Sequence, residues 1–258
     1  MPDFLAKLID DARNRVRDGY YDVTDHSSHQ PVSLKRAIKS AERNAIIAEI
    51  KPASPSRGPL RPEVDPIKAA ERLVDGGAIA LSILTEPDNF GGSLENLRKV
   101  REHVTLPLLM KDVIIHERQI EAARRMGADC ILLIEPIFSK YPISSLARMI
   151  RYAHESSLEV LLEVHSEDEL NRALNSEADL IGLNNRNLST FETNLETTIR
   201  LMAKAKEHAG KVMISESGFE SAEDIRRVKP TRVDGFLIGS SIMLAEDWER
   251  KVRAFVLA

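Results

Sequence analysis

The run IIAEIKPASPSRG, residues 46–58, changes character within three positions. Ile46, Ile47 and Ala48 are apolar and suit a buried strand, yet Glu49 and Lys51 follow at once and prolines close in behind them. Side chains alternate along a strand, so Ile47, Glu49 and Lys51 share one face. A strand that carries two opposite charges to the mouth of a loop fits a parallel α/β barrel, where chemistry sits at the C-terminal strand ends.

Outward from this run the texture repeats. Eight short β-rich runs occur: AIIAEI (45–50), AIALSIL (78–84), LPLLM (106–110), CILLI (130–134), EVLLEV (159–164), LIGL (180–183), KVMIS (211–215) and GFLIG (235–239). Amphipathic stretches follow each, near 65–76, 93–103, 116–126, 142–156, 166–175, 194–208, 221–229 and 245–256. Strand–helix alternation of this kind signals βα units, and eight of them close a (β/α)8 TIM barrel. An open parallel sheet is the competing arrangement. The length of 258 residues fits one barrel, and no linker or low-complexity block interrupts residues 45–258.

Residues 1–44 read as an N-terminal helical extension on that barrel. Phe4, Leu5, Leu8, Ile9, Ala12 and Val16 recur at helical spacing. A polar break, DHSSHQP, separates them from a short helical pattern that begins with Ser33 as N-cap. Asp3, Asp10 and Asp11 are out of place in a signal peptide.

Composition excludes several function classes. The formal charge is −4 without a basic block, so nothing draws nucleic acid electrostatically. No apolar stretch is long enough to span a bilayer. Cys130 is the only cysteine, so no intramolecular disulfide forms, and a reducing, cytoplasmic setting is expected. Only 5% of residues are aromatic, so the core must be aliphatic.

The strand ends carry the chemistry. Lys111 falls two positions after Leu109, and Glu163 two after Leu161. The sixth run ends on Asn184 and then Arg186, the seventh on Glu216, Ser217 and Gly218. Taken singly, each marks a strand reaching water; taken together, with Glu49 and Lys51, they converge on one mouth. The last two strand ends, SESGF and LIGSSIM, place small residues at Ser217, Gly218, Gly239, Ser240 and Ser241. Loops after strands seven and eight are the usual phosphate site of this fold, although tight turns also favour Gly and Ser. Five of the twelve prolines lie between Pro52 and Pro66, which makes the first loop either a lid or a stiff connection. His26 and His29 with Asp25 imitate a metal pair, but outside the barrel; His103, His116, His154, His165 and His208 have no ligand spacing. His165 follows strand five, where a surface position competes with one in the mouth.

The segments IIAEIKPASPSRG, LPLLMKDVII, QIEAARRMGADCILLI, IGLNNRNL, ISESGF and FLIGSSIM, in this order and at these separations, resemble the indole-3-glycerol phosphate synthase family. The resemblance covers roughly residues 30–245. It implies a carboxy-lyase of tryptophan biosynthesis that converts 1-(2-carboxyphenylamino)-1-deoxyribulose 5-phosphate to indole-3-glycerol phosphate, CO₂ and water. It implies no metal or organic cofactor, and leaves room for a partner enzyme of the same pathway. By motif, Lys111 is similar to the family's general acid and Glu163 to its base and dehydration partner. Glu49 supplies a second carboxylate, and Lys51 pairs with it and holds a substrate anion. Ser54, Asn184 and Arg186 would bind the anthranilate carboxylate and orient the ring, while Glu216 would meet ribulose hydroxyls. Ser217, Gly218, Gly239 and Ser240 would receive the phosphate, and Phe90, Leu132 and Ile134 would wall the ring.

The chain departs from the family pattern at Val113, where an aromatic residue is common, and at Glu135–Pro136, where small or apolar residues are. PDNFGGS before the second helix is also unusual. Rival readings are a class I aldolase using Lys111 as an imine-forming nucleophile, an isomerase of the same pathway pairing a carboxylate with the Cys130 thiol, and a silent phosphate-binding scaffold. Lys111 as an acid meets opposing influences: burial and Lys51 push its pKa down, Glu49 and Glu163 push it up.

Overall fold

A computed structural model describes residues 4–25, 27–188, 190–205 and 210–258. Eight parallel strands close into a barrel: Ala45–Ile50, Ala80–Leu84, Leu108–Lys111, Cys130–Ile134, Glu159–Val164, Leu180–Asn184, Val212–Glu216 and Gly235–Ile238. The first strand pairs with both the second and the eighth, with Glu49 opposite Ser82 and Ile47 opposite Leu237. That pairing settles the barrel over the open sheet.

The pleat divides the apolar residues into two cores. Ala45, Ile47, Leu109, Cys130, Leu161, Leu180, Ile214 and Leu237 fill the barrel interior. Ile46, Ala48, Leu81, Met110, Leu133 and Leu162 point outward against the crossover helices. Branched aliphatic side chains suit both layers, which is why so few aromatics suffice.

The helices are shorter than their periodicity predicts. The stretch expected over 142–156 is a helix Leu146–Glu155, preceded by a separate short helix Glu135–Lys140 directly after the fourth strand. The stretch expected over 245–256 begins only at Trp248, capped by Asp247, after another short helix, Ser240–Met243. The second strand starts at Ala80 and not Ala78, because Ala78 N–H closes the preceding helix by donating to Leu73. The sixth crossover helix is Glu196–Lys204; residues 206–208 of that expectation lie outside the described ones, as do Asp3, His26 and His208.

The extension touches both ends of the barrel. Helix α1 (Phe4–Arg17) buries Leu5, Leu8, Ile9 and Ala12 beside the strand C-termini. Each of its larger apolar side chains contributes about 1.5–3 kcal/mol by leaving water. The chain then runs down the outside, where Ser27 N–H donates to Arg125 and His29 Nε2 meets Asp129 at 2.7 Å. Helix α2 (Leu34–Lys39), N-capped by Ser33, seats Leu34 and Ile38 in the interior cluster. Ser33 Oγ and Lys35 N–H both donate to Glu159 at the start of the fifth strand.

Candidate active site

Pleat parity brings five charged side chains to one point. Lys111 Nζ lies 3.6 Å from Glu163, 3.7 Å from Glu216 and 3.9 Å from Glu49, while Lys51 pairs with Glu49 at 2.5 Å. The three carboxylates are almost fully buried and the two ammoniums largely so. Glycines make the room. A Cβ on Gly182 would sit 1.9 Å from Glu216 Oε1, and one on Gly239 would sit 2.4 Å from Glu49 Oε1. Any larger residue at either position displaces a carboxylate.

The opposing influences on Lys111 now have an outcome. Burial works against its charge, but Glu163, Glu216 and Glu49 outweigh it and raise its pKa above the usual lysine value. Burial likewise pushes Glu49 up, yet Lys51 and Lys111 prevail and hold it below the usual carboxylate range. Glu216 goes the other way: burial, with Glu163 and Glu49 nearby, overcomes Lys111 and pushes it up to about 8.

Two recesses adjoin this cluster. One is walled by Phe90, Val113, Leu132 and Ile134 and reached by Ser54, Asn184 and Arg186. The other is polar, lined by Lys51, Arg186, Ser217, Gly218, Gly239 and Ser240. Every site residue expected from sequence lines one or both. Ser217 and Gly218 adopt φ of +67° and +89°, so the backbone turns sharply where a ligand would approach. Ser241 Oγ donates to the Phe219 carbonyl at 2.6 Å and ties the last two loops together.

The supports are equally specific. Asp112, the residue after Lys111, accepts from Thr85 Oγ1 at 2.6 Å and from Tyr21 at 3.1 Å, with Arg15 at 3.9 Å. Burial raises the Asp112 pKa, against the Thr85 hydrogen bond and Arg15. Arg15 also donates to Glu86 at 2.7 Å, and Glu86 accepts the N–H groups of Asp88, Asn89 and Phe90. One arginine of α1 thus braces both the lysine strand and the Phe90 turn. The first loop is pinned as well. Its Ala53–Ser54 pairs with Gly58–Pro59, Leu60 and Arg61 N–H donate to Pro52, and Arg61 Nε donates to Met243 at 2.9 Å.

Sequence reading passed over several of these positions. Phe4 and Leu8 of α1, with Leu188 and Phe191 of the sixth loop, also line the apolar recess, and the Phe4 and Phe191 rings meet edge to face at 4.9 Å. Asn185 matters more to the loops than its neighbour suggests. Its Nδ2 donates to Ser215 Oγ and the Ser217 carbonyl, and its Oδ1 accepts from Thr198. Glu135 turns away from the mouth, because Arg172 holds its carboxylate at 2.6 and 3.1 Å. His29 is engaged by Asp129 and Arg101, and His165 Nδ1–H donates to the Asn184 carbonyl at 2.8 Å. Cys130 lies at full burial in the barrel interior, its thiol pKa raised by that burial. Among the described residues, no cluster of three or more His, Cys, Asp and Glu side chains is placed to hold a metal ion, and no helix is long and apolar enough to cross a membrane.

The model of the family described as indole-3-glycerol phosphate synthase matches residues 5–255. The indole-3-glycerol phosphate synthase of Aquifex aeolicus is 45% identical over 252 residues, covering 98% of this chain and 91% of that one. Its counterpart in Carboxydothermus hydrogenoformans is 40% identical over 257 residues, covering 95% and 96%. Among solved structures, thiamine phosphate pyrophosphorylase from Pyrococcus furiosus superposes with a TM-score of 0.61 at 16% identity, covering 86% of this chain and 96% of that one, which speaks to the fold alone. The barrel, its mouth and these relatives agree: the chain belongs to the indole-3-glycerol phosphate synthase family, carboxy-lyases of tryptophan biosynthesis.

Proposed function

We propose that this chain closes the indole ring of 1-(2-carboxyphenylamino)-1-deoxyribulose 5-phosphate, with Lys111 as general acid and Glu163 as general base. The observation that carries the reading is Lys111 Nζ, held between three carboxylates with an apolar recess on one side and a polar one on the other. The anthranilate ring fits against Phe90, Leu132 and Ile134, its carboxylate toward Ser54, Asn184 and Arg186. The phosphate fits the recess of Ser217, Gly218, Gly239 and Ser240, whose backbone approaches closely.

The ring carbon bearing the carboxylate attacks the ribulose carbonyl, and Lys111 delivers a proton to the oxygen that becomes a hydroxyl. An anilinic carbon is a weak nucleophile, so proton delivery must accompany the attack. Loss of CO₂ restores the electron pair to the ring; Glu163 then takes a proton from the carbon bonded to nitrogen and passes it to the hydroxyl, which departs as water and completes the pyrrole. Lys51 holds Glu49 and a substrate anion. Holding the carboxylate too tightly in the ground state would slow its loss, and a single half-buried Arg186 with neutral Ser54 and Asn184 suits that limit.

The aldolase reading needs a free amine, and the carboxylates that raise the Lys111 pKa keep it an ammonium. The thiol isomerase reading needs Cys130 at the mouth, whereas it lies buried in the barrel interior. The work belongs in the cytoplasm, where the lone thiol stays reduced.

The test is the fluorescence of indole-3-glycerol phosphate formed from the substrate, with Lys111→Ala beside the wild type. Trp248 is the only tryptophan, so background is low. A loss of about 10²–10⁴-fold in turnover with substrate binding retained supports Lys111 as the acid. A folded wild type that makes no product sinks the reading.

A further inference from the structure

The mouth cluster does not balance its charges. Glu49, Glu163 and Glu216 face Lys51 and Lys111, so three ionised carboxylates would leave one uncompensated negative charge in a buried site. Arg186, the next cation outward, donates its guanidinium to the Phe191 carbonyl at 2.9 Å. Within the cluster Glu216 is the exception. Its Oε1 is buried without a hydrogen-bond partner, in the space that Gly182 leaves open. Its other oxygen and a Glu163 oxygen crowd the same ammonium, at 3.7 and 3.6 Å from Lys111 Nζ, and burial beside Glu163 and Glu49 favours the protonated form of the Glu216 carboxyl.

We propose that Glu216 works as a neutral carboxylic acid, and that it thereby sets how tightly Lys111 holds its own proton. The proposal rests on the reading of Lys111 as the acid. With Glu216 neutral, two carboxylates balance two ammoniums. With Glu216 ionised, a third negative charge 3.7 Å from Lys111 Nζ holds the ammonium proton more tightly and makes it a poorer donor. Glu216 acts through Lys111 and is a positioning residue. The charged groups around it are Lys111 from the third strand, Glu163 from the fifth, and Glu49 and Lys51 from the first. Burial with these neighbours places its ionisation near pH 8, so turnover should fall as Glu216 loses its proton in that range.

The experiment compares wild type, Glu216→Gln and Glu216→Ala in turnover against pH and in infrared difference spectra between neutral and alkaline pH. Glutamine copies the shape and charge of the neutral acid. Whatever the level of its turnover, Glu216→Gln should lose the fall near pH 8, and at neutral pH it should turn over at least about tenfold faster than Glu216→Ala. The wild type should show a protonated carboxyl band that disappears on the alkaline side and is absent from Glu216→Gln. The spectra need no turnover, so they decide the proton's place even if the enzyme's substrate is a different one. No such band, or a band that survives in Glu216→Gln, overturns the neutral acid. An alkaline fall unchanged in a folded Glu216→Gln overturns its action on Lys111.

Discussion

The two ends of this barrel treat their carboxylates in opposite ways. At the strand N-termini, Asp129, Asp179 and Asp234 stand just before the fourth, sixth and eighth strands. Each accepts the N–H that opens, or nearly opens, the preceding strand: Leu108 at 2.7 Å, Val160 at 2.9 Å and Met213 at 2.7 Å. Asp129 also takes Val32 N–H, Arg101 and His29. At the C-termini, Glu163 and Glu216 stand 3.6–3.7 Å from a shared ammonium, and one Glu216 oxygen has no hydrogen-bond partner at all. Carboxylates saturated with backbone donors hold strands in register and have nothing left to offer. Carboxylates held close to a charge but short of hydrogen bonds keep capacity for a substrate. The lower end is built for stability and the upper end for reaction, which is the division of labour expected of this fold.

Substitutions at each end should separate the two properties. Glu163→Gln removes one charge from a crowded mouth, and turnover should fall by about 10²–10⁴-fold. Stability in urea should hold, since Glu216 can then give up its proton and restore the balance of two carboxylates against two ammoniums. A comparable loss of stability would break the comparison. Asp129→Ala should do the reverse: about 3–5 kcal/mol lost in urea unfolding, because Arg101 stays buried without its partner, with turnover per folded molecule intact. The third prediction concerns pH. Glu216 binds its proton more tightly folded, at about 8 against 4.5 for the unfolded group, so its stabilisation is complete below 4.5 and is lost as pH rises through 8. Wild type should therefore lose urea stability relative to Glu216→Gln across that window, and parallel curves would contradict it. The smallest effect belongs to Asp179→Asn, whose side chain is 24% exposed and whose His154 partner is more so. A cost of about 0.5–1.5 kcal/mol in the urea midpoint would show that the lower end grades its strength by burial.

The same contrast explains what was legible in the sequence. Strands reveal themselves through β-branched runs, and parity alone takes Glu49, Lys111, Glu163 and Glu216 to one face without any tertiary knowledge. The first, fourth and fifth strands were readable to the residue. Long-range partners were not. Glu135 stands two positions after the outward-facing Leu133, so parity sends it away from the mouth, but nothing local names its partner, Arg172, thirty-seven residues on. Phe4 belongs to an amphipathic face, but periodicity names a face and not its destination, so its meeting with Phe191 was hidden. GADC, EADL and RVDG carried the repeated aspartate in plain view, and only the backbone amides it satisfies give it a meaning.

The extension that reaches both ends also has a consequence in time. Its anchors lie far along the chain: Arg15 to Glu86 spans 71 residues, His29 to Asp129 spans 100, and Ser33 to Glu159 spans 126. This segment, made before the strands that anchor it, must therefore wait, undocked, until the fifth strand exists. Contacts of such separation close late, because the loop entropy they cost is recovered only once the intervening strands are in place. A segment made before the barrel is then docked after it, a latch that fastens only on a barrel already more than half assembled.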